Sequence, residues 1–155
     1  MKILPGDLGD SRVRSLLEHH LATARAATAP GSDHALDVEG LKAPEISFWT
    51  AWDGDVLLGT GALKRLSGAH GEVKSMHTAE ACRRNGVARA ILLHVIDAAR
   101  SRGMSRLSLE TGSRPYFEPA RALYRSVGFV ECPPFGEYVH DPNSVFMSLE
   151  LRGFE

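Results

Sequence analysis

A short run rich in arginine and glycine is the strongest chemical signal in the sequence. It covers residues 83–89, Arg83-Arg84-Asn85-Gly86-Val87-Ala88-Arg89, and an apolar pattern at helical spacing starts within it. Free backbone N–H groups and the helix dipole favour anions at such a helix N-terminus. Gly86 allows a ligand to approach the backbone closely, and the arginines add positive charge. The run predicts a site for a phosphate-bearing ligand, although a solvated helix start would have a similar composition.

Two other phosphate-binding signatures are missing from this region. No Gly-Lys-Ser/Thr follows the run, as it does in the phosphate loop of NTPases. The Gly-x-Gly-x-x-Gly pattern of dinucleotide-binding folds, with its later acidic ribose partner, is missing too. A Rossmann-type nucleotide-binding protein is therefore the least favoured alternative.

Strands and helices alternate around the run. Residues 72–78 and 105–111 alternate in the manner of strands. Apolar spacing predicts a helix from Gly86 to about Arg102, and residues 117–127 predict a second, shorter helix. Because a helical crossover joins parallel neighbours in a sheet, we expect the two strands to form a parallel pair.

The rest of the chain predicts further strands and one long helix. A hairpin signal, Asp53-Gly54-Asp55, separates two strands that we expect to pair in antiparallel fashion. The expected elements are strands at 1–4, 45–52, 56–66 and 144–151, a helix from Asp10 or Ser11 to about Ala27, and a helical turn at 34–41.

Two motifs in this order of elements resemble the GNAT superfamily of acyl-CoA-dependent N-acetyltransferases. Residues 83–88, Arg-x-x-Gly-x-Ala, match the superfamily's pyrophosphate loop. Residues 123–129, Leu-Tyr-x-x-x-Gly-Phe, match its second signature. The resemblance runs from about residue 72 to residue 129 and continues more weakly toward the C-terminus.

The resemblance implies an α/β fold of three layers, in which helices flank a mixed, mostly antiparallel sheet with a splayed parallel pair. The pair would separate at a bulge near Met76–Thr78, and the pantetheine arm of acetyl-CoA would lie in the gap. Acetyl-CoA is implied as co-substrate. The implied contacts to it are Met76, His77, Thr78, Arg83, Arg84, Asn85, Gly86, Val87, Ala88 and Arg89.

Acyl transfer also needs an acid and a base. Tyr124 matches the tyrosine that often protonates the coenzyme A sulfur in this superfamily, and a phenol with a pKa of about 10 keeps its proton at neutral pH. Glu72 is the first candidate for the base and Glu110 the second; a surface role for Glu72 is the alternative. Strand alternation predicts that Glu72, Lys74, Met76 and Thr78 share one face.

The acceptor site is predicted from the loop before the last strand. Tyr138, Asp141 and Asn143 carry more polar groups than a turn requires, so we expect them to bind a small-molecule amine. An ordinary turn aspartate remains the alternative for Asp141.

Length and composition predict one acyl-CoA N-acyltransferase domain over residues 1–155. A net charge of -1 gives no steering toward nucleic acid or an anionic membrane. The sequence has two cysteines and seven histidines, and neither set shows the spacing of metal ligands. We therefore expect no metal site. We expect a cytoplasmic protein, with a homodimer left open. A non-catalytic acyl-CoA-binding sensor or interaction module is the alternative function.

Overall fold

A computed structural model describes residues 1–32, 35–79 and 86–151. In these residues a seven-stranded mixed sheet has the order β1-β2-β3-β4-β5-β7-β6 and is flanked by three helices. The strands are β1 (Lys2–Pro5), β2 (Ile46–Asp53), β3 (Val56–Arg65), β4 (His70–Thr78), β5 (Arg106–Gly112), β6 (Val130–Glu131) and β7 (Ser144–Glu150). The helices are α1 (Ser11–Ala26), α2 (Val87–Ser101) and α3 (Glu118–Val127).

The helix ends follow their local sequence. The Asp10 side chain accepts a hydrogen bond from the Arg12 N–H at 2.8 Å and so caps α1. Gly86 precedes α2 with a left-handed φ of 77°, and Gly128 ends α3 with a φ of 114°. The predicted helix boundaries at these residues are confirmed.

Helix α2 covers one face of the sheet with the predicted apolar stripe. Its buried residues are Val87, Ile91, Leu92, Val95, Ile96 and Ala99. Gly61 of β3 lies directly beneath, where a Cβ atom would come within 2.5 Å of Ile91. The glycine therefore allows the helix to approach the sheet closely.

Helix α1 lies on the opposite face. Val13 and Leu17 are buried there against Phe48 of β2 and Ala62 of β3. Helices on both faces make the three layers that the sequence predicts.

The parallel pair separates, as the resemblance implies, but before the expected position near Met76–Thr78. Strands β4 and β5 are in register only from His70↔Arg106 to Glu72↔Ser108. Beyond Glu72, no strand of the described residues pairs with that side of β4. The other neighbouring pairs of strands in the sheet are antiparallel, which confirms the mixed, mostly antiparallel sheet.

A bulge at Ser75 changes which side chains face each helix. Ser75 has a φ of 53°, and the register between β3 and β4 shifts between Thr60 and Ala62. Lys74 pairs with Ala62 on the α1 face, whereas the Met76 sulfur lies next to Gly61 on the α2 face. The prediction that Met76 and Thr78 share a face with Glu72 and Lys74 is therefore wrong, because the bulge inserts a residue between them.

Other sequence predictions differ from the structure in detail. A 3-10 turn forms at Gly40–Lys42 within the predicted helical turn, whose residue His34 lies outside the described residues. The short edge strand β6 was not predicted, because its two residues give no pattern. Within the described segments, no helix has the length and apolar content to cross a bilayer.

Candidate active site

A cleft of about 630 Å³ opens where β4 and β5 separate. The α1 helix and three residues after it, Ser32, Ala35 and Leu36, line one end of it, and the starts of α2 and α3 line the other. Because α1 and α2 lie on opposite faces of the sheet, the cleft passes through the sheet at the gap. It connects the helix start predicted to bind phosphate with the centre of the molecule.

The α2 end carries the predicted anion site. Gly86, Val87, Ala88 and Arg89 line the cleft, as do Met76, His77 and Thr78 of β4. Among the described residues, nothing would lie within 4 Å of a Cβ atom on Gly86, so none of them obstructs this position. The predicted contacts Arg83, Arg84 and Asn85 lie outside the described residues.

Tyr124 lines the cleft from α3. It is 7% exposed, and its ring packs edge-on against Phe129 with centroids 5.8 Å apart. Burial and then the charge of Glu110 raise the pKa of Tyr124 to about 12. Its hydroxyl therefore keeps its proton at neutral pH and is available as a donor.

Glu72 lies at the end of the paired part of β4 and is already bonded. The carboxylate is 2% exposed, and its Oε2 accepts a 2.6 Å hydrogen bond from the Tyr138 hydroxyl. Lys74 Nζ lies 3.3 Å from the same oxygen and donates to the Tyr138 hydroxyl at 3.0 Å. Burial and then the charge of Glu72 raise the pKa of Tyr138. Two donors therefore already occupy the Oε2 oxygen of Glu72.

Glu110 lines the cleft at the end of β5 and is the stronger candidate for a base. Burial above all, together with the negative charges of Glu72 and Asp141, raises its pKa from 4.5 to about 7. The nearby Ser144 hydroxyl and Lys74 ammonium act in the opposite direction. A carboxylate with this pKa is ionised in half of the molecules near neutral pH and is more basic than an exposed glutamate.

A family model for the acetyltransferase (GNAT) family matches residues 14–129. The chain belongs to the GNAT family.

Two curated relatives extend the match to nearly the whole chain. The uncharacterized N-acetyltransferase YsnE of Bacillus subtilis is 52% identical over 97% of this chain and 100% of its own length. The uncharacterized N-acetyltransferase YedL of Escherichia coli is 45% identical over 94% of this chain and 91% of its own length.

A solved structure supports the fold. An acetyltransferase from Bacillus subtilis, in complex with CoA, has a TM-score of 0.72 and 19% identity. The alignment covers 96% of this chain and 97% of that chain. This similarity confirms the GNAT fold.

The loop before β7 supports the α1 end of this GNAT cleft from outside. Asp141 Oδ2 accepts a 2.6 Å hydrogen bond from Ser32 Oγ, and Asp141 Oδ1 accepts one of 2.9 Å from the Asn143 N–H. Ser32 lines the cleft, whereas Tyr138, Asp141 and Asn143 do not. The predicted acceptor residues thus lie next to the wall of the cleft: Tyr138 contacts Glu72 and Lys74, and Asp141 contacts Ser32.

Sequence reasoning missed the face of α1 that lines the cleft. His20 and Ala24 lie there, four residues apart on one face of the helix, and Thr28 lines the cleft just after the helix ends. His20 stacks on His77 with centroids 4.4 Å apart, and its Nε2 lies 3.0 Å from the Thr78 carbonyl oxygen. Burial and then His20 lower the pKa of His77 to about 3, so this imidazole is neutral at physiological pH.

The described part of the chain gives no sign of a metal centre. No group of three or more histidine, cysteine, aspartate or glutamate side chains in it is arranged to hold a metal ion.

Proposed function

We propose that this protein transfers the acetyl group of acetyl-CoA to the amine of a small-molecule acceptor, by direct attack within a ternary complex. The observation that carries the proposal is the cleft at the separated parallel pair of a GNAT chain. A proton acceptor, Glu110, lines it from β5, and a proton donor, Tyr124, lines it from α3. Together these two residues would supply the proton acceptor and the proton donor that acyl transfer to an amine requires.

The cleft has the features that acetyl-CoA requires. Residues 83–89 would hold the pyrophosphate at the start of α2, where no described residue lies within 4 Å of the Cβ position of Gly86. The unpaired side of β4 beyond Glu72 offers backbone N–H and C=O groups to the amide-bearing pantetheine arm. When bound, acetyl-CoA supplies an activated thioester.

Glu110 would act as the base. An amine is protonated at neutral pH and attacks only after it loses a proton. Glu110 can take that proton directly or through water, because its pKa of about 7 makes it ionised above pH 7. Glu72 would instead hold its bonds to Tyr138 and Lys74 and act on the site through its charge.

Tyr124 would act as the acid, and its acidity depends on Glu110. Part of the elevation of the Tyr124 pKa comes from the charge of Glu110. When Glu110 accepts the amine proton, that charge disappears and the pKa of Tyr124 falls. Base and acid would therefore act in order, because protonation of Glu110 makes Tyr124 a better donor to the leaving sulfur.

Replacement of Tyr124 by phenylalanine tests the acid. The ring and its packing remain while the proton donor is lost, so we expect kcat to fall by about 10²-fold or more. The Kd for acetyl-CoA should change little. Tyr116→Phe is the matched control, because its ring lines the same cleft but is 45% exposed. Unchanged turnover of Tyr124→Phe under conditions where chemistry limits the rate would contradict the assignment.

A further inference from the structure

We propose that the acceptor is a cationic monoamine with an apolar body and without a carboxylate. This inference rests on the proposed acetyltransferase function and narrows its substrate class. It excludes free amino acids, which carry a carboxylate next to the amine, and it disfavours polyamines, which lack an apolar body.

The wall at the α1 end is mostly small or apolar. Ala24 of α1 lies in this wall, between His20 of the same helix and Thr28, which follows the end of the helix. Ala35 and Leu36 line the cleft from the following segment. The hydroxyls of Thr28 and Ser32 at this end already donate to the Ala24 carbonyl oxygen and to Asp141 Oδ2, each at 2.6 Å. The apolar side chains of the wall favour hydrocarbon or aromatic groups, because they remove the surface of such groups from water.

Three carboxyl groups contribute negative charge near this end. Glu72 and Asp141 both raise the pKa of Glu110, so three carboxyl groups lie within electrostatic reach of one another. A substrate carboxylate placed among them would be repelled, whereas an ammonium group would be attracted. The carboxyl groups therefore favour a substrate that has an ammonium group and no carboxylate.

The cations of the described residues near this end already have partners. Lys74 is the one lysine or arginine that lines the cleft beside α1, and it contacts both Glu72 and Tyr138. Arg114 donates to the Ala27 carbonyl oxygen at 3.2 Å. Arg121 donates to the Gly112 and Arg114 carbonyl oxygens. A substrate carboxylate would thus have to displace an existing contact to find a positive charge.

Pairs of amines that differ only in a carboxylate provide the test. We expect kcat/KM to be at least about tenfold higher for 2-phenylethylamine than for L-phenylalanine. The same ratio is expected for 3-methylbutylamine over L-leucine. A tenfold ratio corresponds to a difference of about 1.4 kcal/mol in transition-state free energy. Putrescine is the polyamine probe and should rank below both monoamines. Release of the coenzyme A thiol is measured for the full chain, and the N-acetylated product is identified by mass spectrometry.

A variant that adds a cation to the cleft wall provides an independent test. Ala24→Arg should lower the preference for the monoamine over the amino acid by about tenfold or more, because it offers the carboxylate a partner. Ala22→Arg is the matched control, since Ala22 is exposed on α1 and does not line the cleft. Thermal melts of both variants check that the fold is retained.

The outcomes separate this inference from the function on which it rests. Equal or better use of the amino acids, a preference for putrescine, or an unchanged preference in Ala24→Arg would overturn the inference while acetyl transfer stands. If no amine of any class caused release of coenzyme A, the proposed function would fall and the inference with it.

Discussion

Replacement of Glu110 by glutamine is expected to lower kcat/KM for the amine by about 10²–10⁴-fold at pH 8, the usual contribution of a general base. The side chain keeps its size but can no longer accept a proton. The Kd for acetyl-CoA, measured by calorimetry, should change little. The parent protein should gain activity as pH rises through about 7, because the pKa of Glu110 is raised to that value and only the ionised form is a base.

Glu72→Gln is the matched comparison for this prediction. It removes a negative charge that raises the pKa of Glu110, so the acid side of the pH–rate profile should move to lower pH. The loss of activity at pH 8 should be far smaller than for Glu110→Gln. If Glu72→Gln abolishes activity while Glu110→Gln stays active, Glu72 is the base and the assignment to Glu110 is wrong.

Replacement of Gly86 by glutamate is expected to weaken acetyl-CoA binding by about 100-fold or more. The new side chain would lie at the start of α2, where no described residue obstructs it, and bring a negative charge toward the pyrophosphate. Calorimetric titration with acetyl-CoA measures the effect.

Gly86→Ala is the control for backbone strain, because it carries the same cost of a left-handed φ without the charge or the length. We expect it to bind acetyl-CoA much more tightly than the glutamate variant. A folded Gly86→Glu variant with the affinity of the parent would show that the pyrophosphate binds elsewhere.

The elements of the fold that bury one regular face could be predicted from sequence. The stripe from Val87 to Ala99 gave α2 because burial of one helix face imposes its own period. Gly128 marked the end of α3 because a left-handed φ favours glycine. Ser75 gave no such signal, since its bulge arises from the register that β3 imposes on β4.

The candidate site was less visible in the sequence, because its properties depend on contacts between distant residues. Glu72 and Glu110 are both glutamates on predicted strands, so the sequence alone does not distinguish them. They differ because Tyr138, 66 residues away, bonds to Glu72, and because the environment of Glu110 raises its pKa. The spacing of His20 and Ala24 could have indicated a face of α1, but not that this face meets a cleft.

Amine-dependent release of coenzyme A from acetyl-CoA tests the central claim most directly. The thiol is measured continuously at pH 8 with a panel of primary amines, and each rate is compared with the rate without amine. We expect at least one apolar monoamine to release coenzyme A in equal amount to the N-acetylated amine. If the protein bound acetyl-CoA tightly but no amine caused release of coenzyme A, the assignment as an acetyltransferase would be contradicted. That result would favour a non-catalytic acyl-CoA-binding module.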